Sequence, residues 1–150
     1  MRQPRGFTLI EVLVVLVIIG ILAGLVVGGL RYDPGRAVEA EAWRLARLAE
    51  RLGREADLTG RALALRWEAG GYRFQQRGED GAWTDLPADG VFDPRRFAAG
   101  FRLDDAGTAV FVPDEDNRPL RLTLRGETAV AVVELSALGE ASVLAGEVVR

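Results

Sequence analysis

Cysteine, histidine and lysine are all absent from this chain of 150 residues. Without cysteine the chain has no disulfide framework, no thiol chemistry and no cysteine-based metal site. Without histidine it lacks the commonest general base and the commonest metal ligand of proteins. We therefore expect neither a hydrolase triad nor a zinc site. The sequence predicts a protein that is not an enzyme and that carries no cofactor.

The charge balance is acidic, because 19 basic residues, all of them arginine, face 22 acidic residues and leave a net charge of −3. A general nucleic-acid-binding protein usually presents a basic face, so this balance argues against that class. The length accommodates one domain behind an apolar N-terminal segment. Without residues 1–30, about 120 residues remain, which is enough for a single modest core.

One apolar run dominates the N-terminal part of the chain. It extends over 24 residues, from Phe7 to Leu30, and it contains a single charged residue, Glu11. As an α-helix, such a run spans about 36 Å, which is long enough to cross a bilayer. Arg2 and Arg5 precede the run and favour a cytoplasmic N-terminus. The run therefore predicts a transmembrane helix, which is either a simple anchor or a helix in which Glu11 has a further role.

Glu11 is the residue that a simple anchor leaves unexplained. A charge at bilayer depth costs roughly 2.5–3.5 kcal/mol on insertion scales. The run contains no histidine, lysine or arginine that could pair with this carboxylate. The nearest cation would be a new α-amino group at Phe7, produced by a cut after Gly6. Glu11 therefore needs a partner that the run itself does not supply.

Residues 5–24 read RGFTLIEVLVVLVIIGILAG and resemble the class III signal of type IV pilins and pseudopilins. The resemblance implies that a prepilin peptidase cuts after Gly6 on the cytoplasmic side of the membrane and methylates the new amino terminus at Phe7. It also implies that Glu11 pairs with the amino terminus of a neighbouring subunit in a fibre. An ion pair is worth more in a low dielectric than in water, so this contact can set the axial register.

The segment after the apolar run predicts an amphipathic helix over residues 33–58. Asp33-Pro34 has the pattern of an N-cap followed by proline at the first helical position, so we expect a break or kink near residue 33. Apolar residues then recur at spacings of four and three and form one stripe: Val38, Ala42, Leu45, Ala49, Leu52 and Ala56. This stripe predicts a helix that covers a globular domain.

The hydrophobic period changes to two from Thr59 onward. Residues 62–68 and 72–77 alternate across Ala69-Gly70-Gly71 and predict a β-hairpin. Further strand candidates are residues 82–86, 100–104, 108–112, 120–125, 128–135 and 141–149.

The expected fold class is α+β and pilin-like, with a long N-terminal transmembrane α-helix followed by an antiparallel β-sandwich-like globular domain. The predicted segments are a class III leader (1–6), a transmembrane and assembly helix (7–32), a periplasmic part of the helix (33–58) and a β-rich domain (59–150).

The globular part resembles the GspH/FimT group of type IV pilin-like proteins. The stretches that carry this resemblance are EAWRLARLAERLGREADLTGRALALRWEAGGYRF and FVPDEDNRPLRLTLRGETAVAVVEL. The resemblance implies a minor pseudopilin at the tip of the periplasmic pseudopilus in type II secretion. It implies a single pass through the bacterial inner membrane, with the C-terminal domain in the periplasm. The implied partners are other minor and major pseudopilins, the prepilin peptidase and the inner-membrane secretion platform. The alternative is a FimT-like minor type IV pilin that acts in pilus assembly or DNA uptake.

Two polar clusters offer other functions. Asp114, Glu115 and Asp116 could ligate calcium, but their spacing fits no EF-hand, and the expected structure is a solvated turn without a metal. Candidates for contacts with DNA phosphates are Arg95, Arg96, Arg121, Arg125 and Arg150. The C-terminal tail LAGEVVR includes Glu147 and lacks a basic arginine motif, so nucleic-acid binding is not expected. A membrane-anchored enzyme would need an Asp/Glu pair, which the spacing does not locate.

Overall fold

The computed structural model describes residues 9–29, 34–88 and 90–147. The chain forms two compact units, Met1–Asp33 and Pro34–Arg150. The predicted leader, Gly6, Phe7 and the predicted kink near residue 33 lie outside the described residues. They therefore stay predictions.

The first unit contains the helix α1 (Leu9–Gly29). Its large apolar side chains between Leu9 and Leu22 are 48% to 85% exposed. A helix that is apolar on all sides has no face suited to water, so this surface needs a covering environment. None of the helices, taken over the residues that the structure describes, combines the length and the apolar character that a membrane crossing requires.

The second unit begins with the helix α2 (Pro34–Thr59), and its buried face is the stripe that the spacing predicts. The six stripe residues are each at most 1% exposed: Val38, Ala42, Leu45, Ala49, Leu52 and Ala56. Three of them are alanine, whose small side chain lets a helix lie close to a sheet. The interpretation of α2 as a helix that covers the globular domain is confirmed.

Nine strands follow α2 within the described residues. They are β1 (Leu63–Glu68), β2 (Gly71–Arg77), β3 (Trp83–Asp85), β4 (Arg95–Arg96), β5 (Arg102–Leu103), β6 (Gly107–Phe111), β7 (Leu120–Arg125), β8 (Ala129–Leu135) and β9 (Ala141–Glu147). The first sheet has the order β3-β2-β1-β6, and β4 pairs with β2 next to β3. The second sheet has the order β5-β7-β8-β9, and every pairing in both sheets is antiparallel.

One hydrophobic core receives side chains from α2 and from both sheets. Its largest fully buried members include Leu45 of α2, Phe74 of the first sheet and Leu122 of the second. No polar or charged residue is buried among those that the structure describes. The α+β fold class, with an N-terminal helix followed by antiparallel sheets, is confirmed.

The strand β4 is the element that the sequence pattern does not predict. Two consecutive arginines after a proline show no alternation, so only the pairing with β2 makes this segment a strand. That pairing brings the backbone of Arg95 against Gly71, where any Cβ would collide with the Arg95 carbonyl oxygen. The glycine in the hairpin is therefore needed for the close approach of β4.

Candidate processing and assembly site

Glu11 lies in the first turn of α1. The partial positive charge at a helix N-terminus stabilises a carboxylate there. Glu11 is exposed, and it has no ion-pair partner among the residues that the structure describes. Gly6 and Phe7 precede this turn in sequence and fall outside the described residues.

A polar cluster on the globular unit is centred on Glu41 of α2. Arg95 of β4 donates two hydrogen bonds to it, from Nε to Oε1 at 3.1 Å and from Nη2 to Oε2 at 2.9 Å. The Tyr72 hydroxyl donates a longer bond of 3.5 Å to the same Oε1 atom. Bidentate guanidinium–carboxylate pairs are among the stronger protein hydrogen bonds. The cluster thus ties β4 and β2 to the helix.

The cluster changes the acid–base properties of its members. Burial, and next the negative charge of Glu41, raise the pKa of Tyr72 to about 12. The hydrogen bonds to Glu41 raise the pKa of Arg95 above its usual value. Tyr72 is therefore neutral, and Arg95 charged, throughout the physiological range. Sequence reasoning missed Glu41, because no local pattern connects residue 41 with residue 95.

The acidic turn at Asp114, Glu115 and Asp116 is exposed to solvent. Asp114 has a positive φ of 58°, and its backbone N–H donates a hydrogen bond to Asp57 Oδ1 at 3.2 Å. In the part of the chain that the structure describes, no three acidic side chains converge as a metal site would require. The geometry is that of a turn anchored to the end of α2.

Most of the arginines considered for DNA contacts already have a carboxylate partner. Arg125 binds Asp104 and Arg121 lies 3.5 Å from Glu134, while Arg95 binds Glu41. The hydrogen bond to Asp104 also raises the pKa of Arg125. Arg96 stands exposed, and Arg150 lies outside the described residues. These pairs reduce the positive charge that a phosphate backbone would meet.

Residues 1–27 match the family model described as the prokaryotic N-terminal methylation motif. The type II secretion system protein H of Pseudomonas aeruginosa is 40% identical over 106 residues, which are 69% of this chain and 62% of that relative. The protein of the same name from Aeromonas hydrophila is 35% identical over 97 residues, which are 61% of this chain and 52% of that relative. The chain thus spans less than two thirds of the length of these curated relatives.

The domain has the fold of a solved pseudopilin. The structure of the minor pseudopilin EpsH from the type II secretion system of Vibrio cholerae matches with a TM-score of 0.63 and 18% identity, over 75% of this chain and 98% of that chain. This match shows the fold, and the two curated relatives named as protein H confirm the resemblance to the GspH group.

Proposed function

We propose that this chain is a minor pseudopilin, a structural subunit at the tip of the periplasmic pseudopilus in type II protein secretion. The observation that carries the proposal is the methylation motif over residues 1–27, followed by a domain with the fold of a minor pseudopilin. The two curated relatives, both named as protein H of that secretion system, support the same assignment.

Processing is the first step of the proposed function. Prepilin peptidase cuts after Gly6 and methylates the new amino terminus at Phe7. The cut removes Arg2 and Arg5, so the net charge falls from −3 to −5. The mature helix then sits in the bacterial inner membrane in a single pass, with the C-terminal domain in the periplasm.

Assembly is the second step, and it is mechanical. Subunits leave the membrane one by one and enter a helical fibre, driven by the inner-membrane secretion platform. In the fibre Glu11 pairs with the N-terminal amine of a neighbouring subunit, in a setting of low dielectric that strengthens the pair. The partners are other minor and major pseudopilins, and no catalytic group is required of this chain.

The processing step is tested by Gly6→Val. With prepilin peptidase co-expressed, we expect this variant to remain as uncleaved precursor, because a branched side chain does not fit where Gly6 passes the peptidase. The matched control is Gly20→Val, because a Cβ added at Gly20 meets no atom within 4 Å. Mass spectrometry of the N-terminal peptide measures cleavage in both variants, and the wild type should yield methylated Phe7. Normal cleavage of Gly6→Val would contradict the class III signal.

The assembly step is tested by Glu11→Val. We expect this variant to insert and to be cleaved normally, but to enter pseudopili poorly, because the N-terminal amine of the neighbour loses its partner. Glu39→Val, at an exposed position of α2, is the control. Incorporation is measured by immunoblotting of sheared pseudopili, and unimpaired incorporation of Glu11→Val would remove the proposed role of this residue.

A role in DNA uptake is the competing function. The acidic net charge of −3 and the internal carboxylate partners of Arg95, Arg121 and Arg125 argue against it. A DNA mobility-shift assay at moderate salt decides the matter. Tight binding would favour the FimT-like alternative.

A further inference from the structure

A groove of about 450 Å³ lies on the first sheet, on the face turned away from the core. Five of its charged residues define what we call the arginine groove: Arg66, Glu68, Arg73, Asp85 and Arg96. The registers explain the shared face. Arg66 stands opposite Arg73, and Arg96 opposite Gly71, while the neighbours Leu65, Phe74 and Tyr72 point into the core.

The groove exists because two short strands, and not one continuous strand, pair with one edge of β2. The short strands β3 and β4 pair with the same edge of β2, at Gln75–Arg77 and at Gly71–Tyr72. Arg73 lies between these two pairings. The sheet is therefore open at this point, and Arg73 forms part of the lining of the opening.

The positive charges in the arginine groove are poorly compensated. Arg66 and Arg96 have no ion pair among the residues that the structure describes. Within the described part of the chain, the only ion-pair partner of Arg73 is Glu68, at 3.8 Å, and the Nε atom of Arg73 is buried there without a hydrogen-bond partner. Asp85 accepts a hydrogen bond of 2.9 Å from Gln75. Arg95 also lines the groove, but it is paired with Glu41. The other three guanidinium groups thus stand beside only two carboxylates, in a chain whose net charge is −3.

The facing pair of Arg66 and Arg73 is unfavourable within the domain itself. Like charges directly opposite each other on neighbouring strands are destabilising. A buried donor without a partner, such as Arg73 Nε, adds a desolvation penalty. Both costs would be relieved by an anion placed between the guanidinium groups.

We propose that the arginine groove binds an acidic segment of a partner protein through its carboxylate groups. Guanidinium forks match carboxylates in bidentate geometry. The phosphates of a nucleic acid are fixed along a continuous backbone, so some of them would lie against Glu68 and Asp85, which stand in the same groove. Carboxylates on flexible glutamate side chains can instead turn away from these two residues and towards the arginines. The proposal rests on the globular unit alone and does not depend on the role in secretion.

The test uses the full chain in detergent micelles and the fluorescence anisotropy of three labelled probes. They are hexaglutamate, hexaglutamine and a ten-residue oligothymidylate. We expect hexaglutamate to bind and hexaglutamine not to bind. The triple variant Arg66→Gln, Arg73→Gln, Arg96→Gln should weaken hexaglutamate binding at least about tenfold, as expected for the loss of charged hydrogen bonds.

The matched control carries the same change in net charge at exposed positions outside the groove: Arg51→Gln, Arg102→Gln and Arg118→Gln. It should bind hexaglutamate like the wild type. If both triple variants lost the same affinity for hexaglutamate, net charge alone would explain the effect, and the proposal would be overturned. Absent hexaglutamate binding, or tighter binding of oligothymidylate, would overturn it as well.

Tryptophan fluorescence of the groove variant checks that it is folded, and the single variant Arg66→Gln provides a second, milder test of the binding.

Discussion

At the scale of single residues, Tyr72 makes the stability of the folded state depend on pH. Its pKa is about 12 in the folded chain, against an ordinary value of 10.0, chiefly because it is buried. The folded state therefore keeps this proton at a pH where the unfolded state has lost it. The resulting stability is complete below pH 10 and is lost as the pH rises towards 12.

We expect the free energy of unfolding to fall by about 2–3 kcal/mol between pH 9 and pH 12 through Tyr72 alone. Urea unfolding followed by tryptophan fluorescence measures this, because Trp43, Trp67 and Trp83 all lie in the globular unit. The variant Tyr72→Phe should lose less stability over the same range. Parallel declines of wild type and variant would assign the pH dependence to other groups.

Glu41 is the second residue whose removal should have a measurable cost. Glu41→Gln replaces a carboxylate with 11% exposure that accepts two hydrogen bonds from Arg95. We expect a loss of about 1–3 kcal/mol in urea unfolding, because hydrogen bonds to a charged group are lost from a largely buried position. The control is Glu50→Gln, which breaks an exposed pair with Arg54 within α2. That change should cost less than about 0.5 kcal/mol. Equal costs would show that the Glu41 pair contributes no more than a surface pair.

At the scale of elements, the β1–β2 hairpin and α2 could be predicted because their signals are local. The alternation in residues 62–68 and 72–77 and the stripe of α2 both depend on neighbours in sequence. The strand β4 depends instead on a pairing between residues far apart in sequence. Its two arginines give no periodic signal. In the sequence, Gly71 indicates only a turn and does not indicate the close approach of another strand.

The adjacent glycines of the hairpin provide a matched test of β4. A Cβ at Gly71 would collide with the Arg95 backbone, whereas a Cβ at Gly70 meets no atom within 4 Å. We therefore expect Gly71→Ala to separate β4 from β2 and to lower the stability by about 2 kcal/mol or more. Gly70→Ala should change it by less than about 1 kcal/mol. Urea unfolding measures both, and similar values would mean that β4 accommodates the methyl group.

At the scale of the whole molecule, the globular unit should fold without α1. Every buried core residue lies between Val38 and Leu135 within the described residues, and thus in the unit Pro34–Arg150. We expect a fragment that starts at Pro34 to unfold cooperatively, at the same urea midpoint as the full chain in detergent. A lower midpoint or a loss of cooperativity would show that α1 contributes to the core.

Some of the candidate sites, like some elements of the fold, could be proposed from the sequence, and others could not. Gly6, Phe7 and Glu11 could be proposed from the sequence, because processing signals and an isolated charge are read along the chain. The Glu41 cluster and the arginine groove could not be proposed, because the register decides that Arg95 faces α2 while Arg96 faces outward. The sequence pattern treats these two arginines alike.

The sequence by itself determined the apolar N-terminal run, the charge of Glu11 within it, the amphipathic stripe of α2 and most of the strands. Each of these follows from side-chain chemistry repeated at the period of a helix or a strand. Only the tertiary structure decided which arginines are paired and which stand uncompensated. The physical reason is that ion pairs and grooves depend on distances between strands, and those distances are set by pairings between residues remote in sequence.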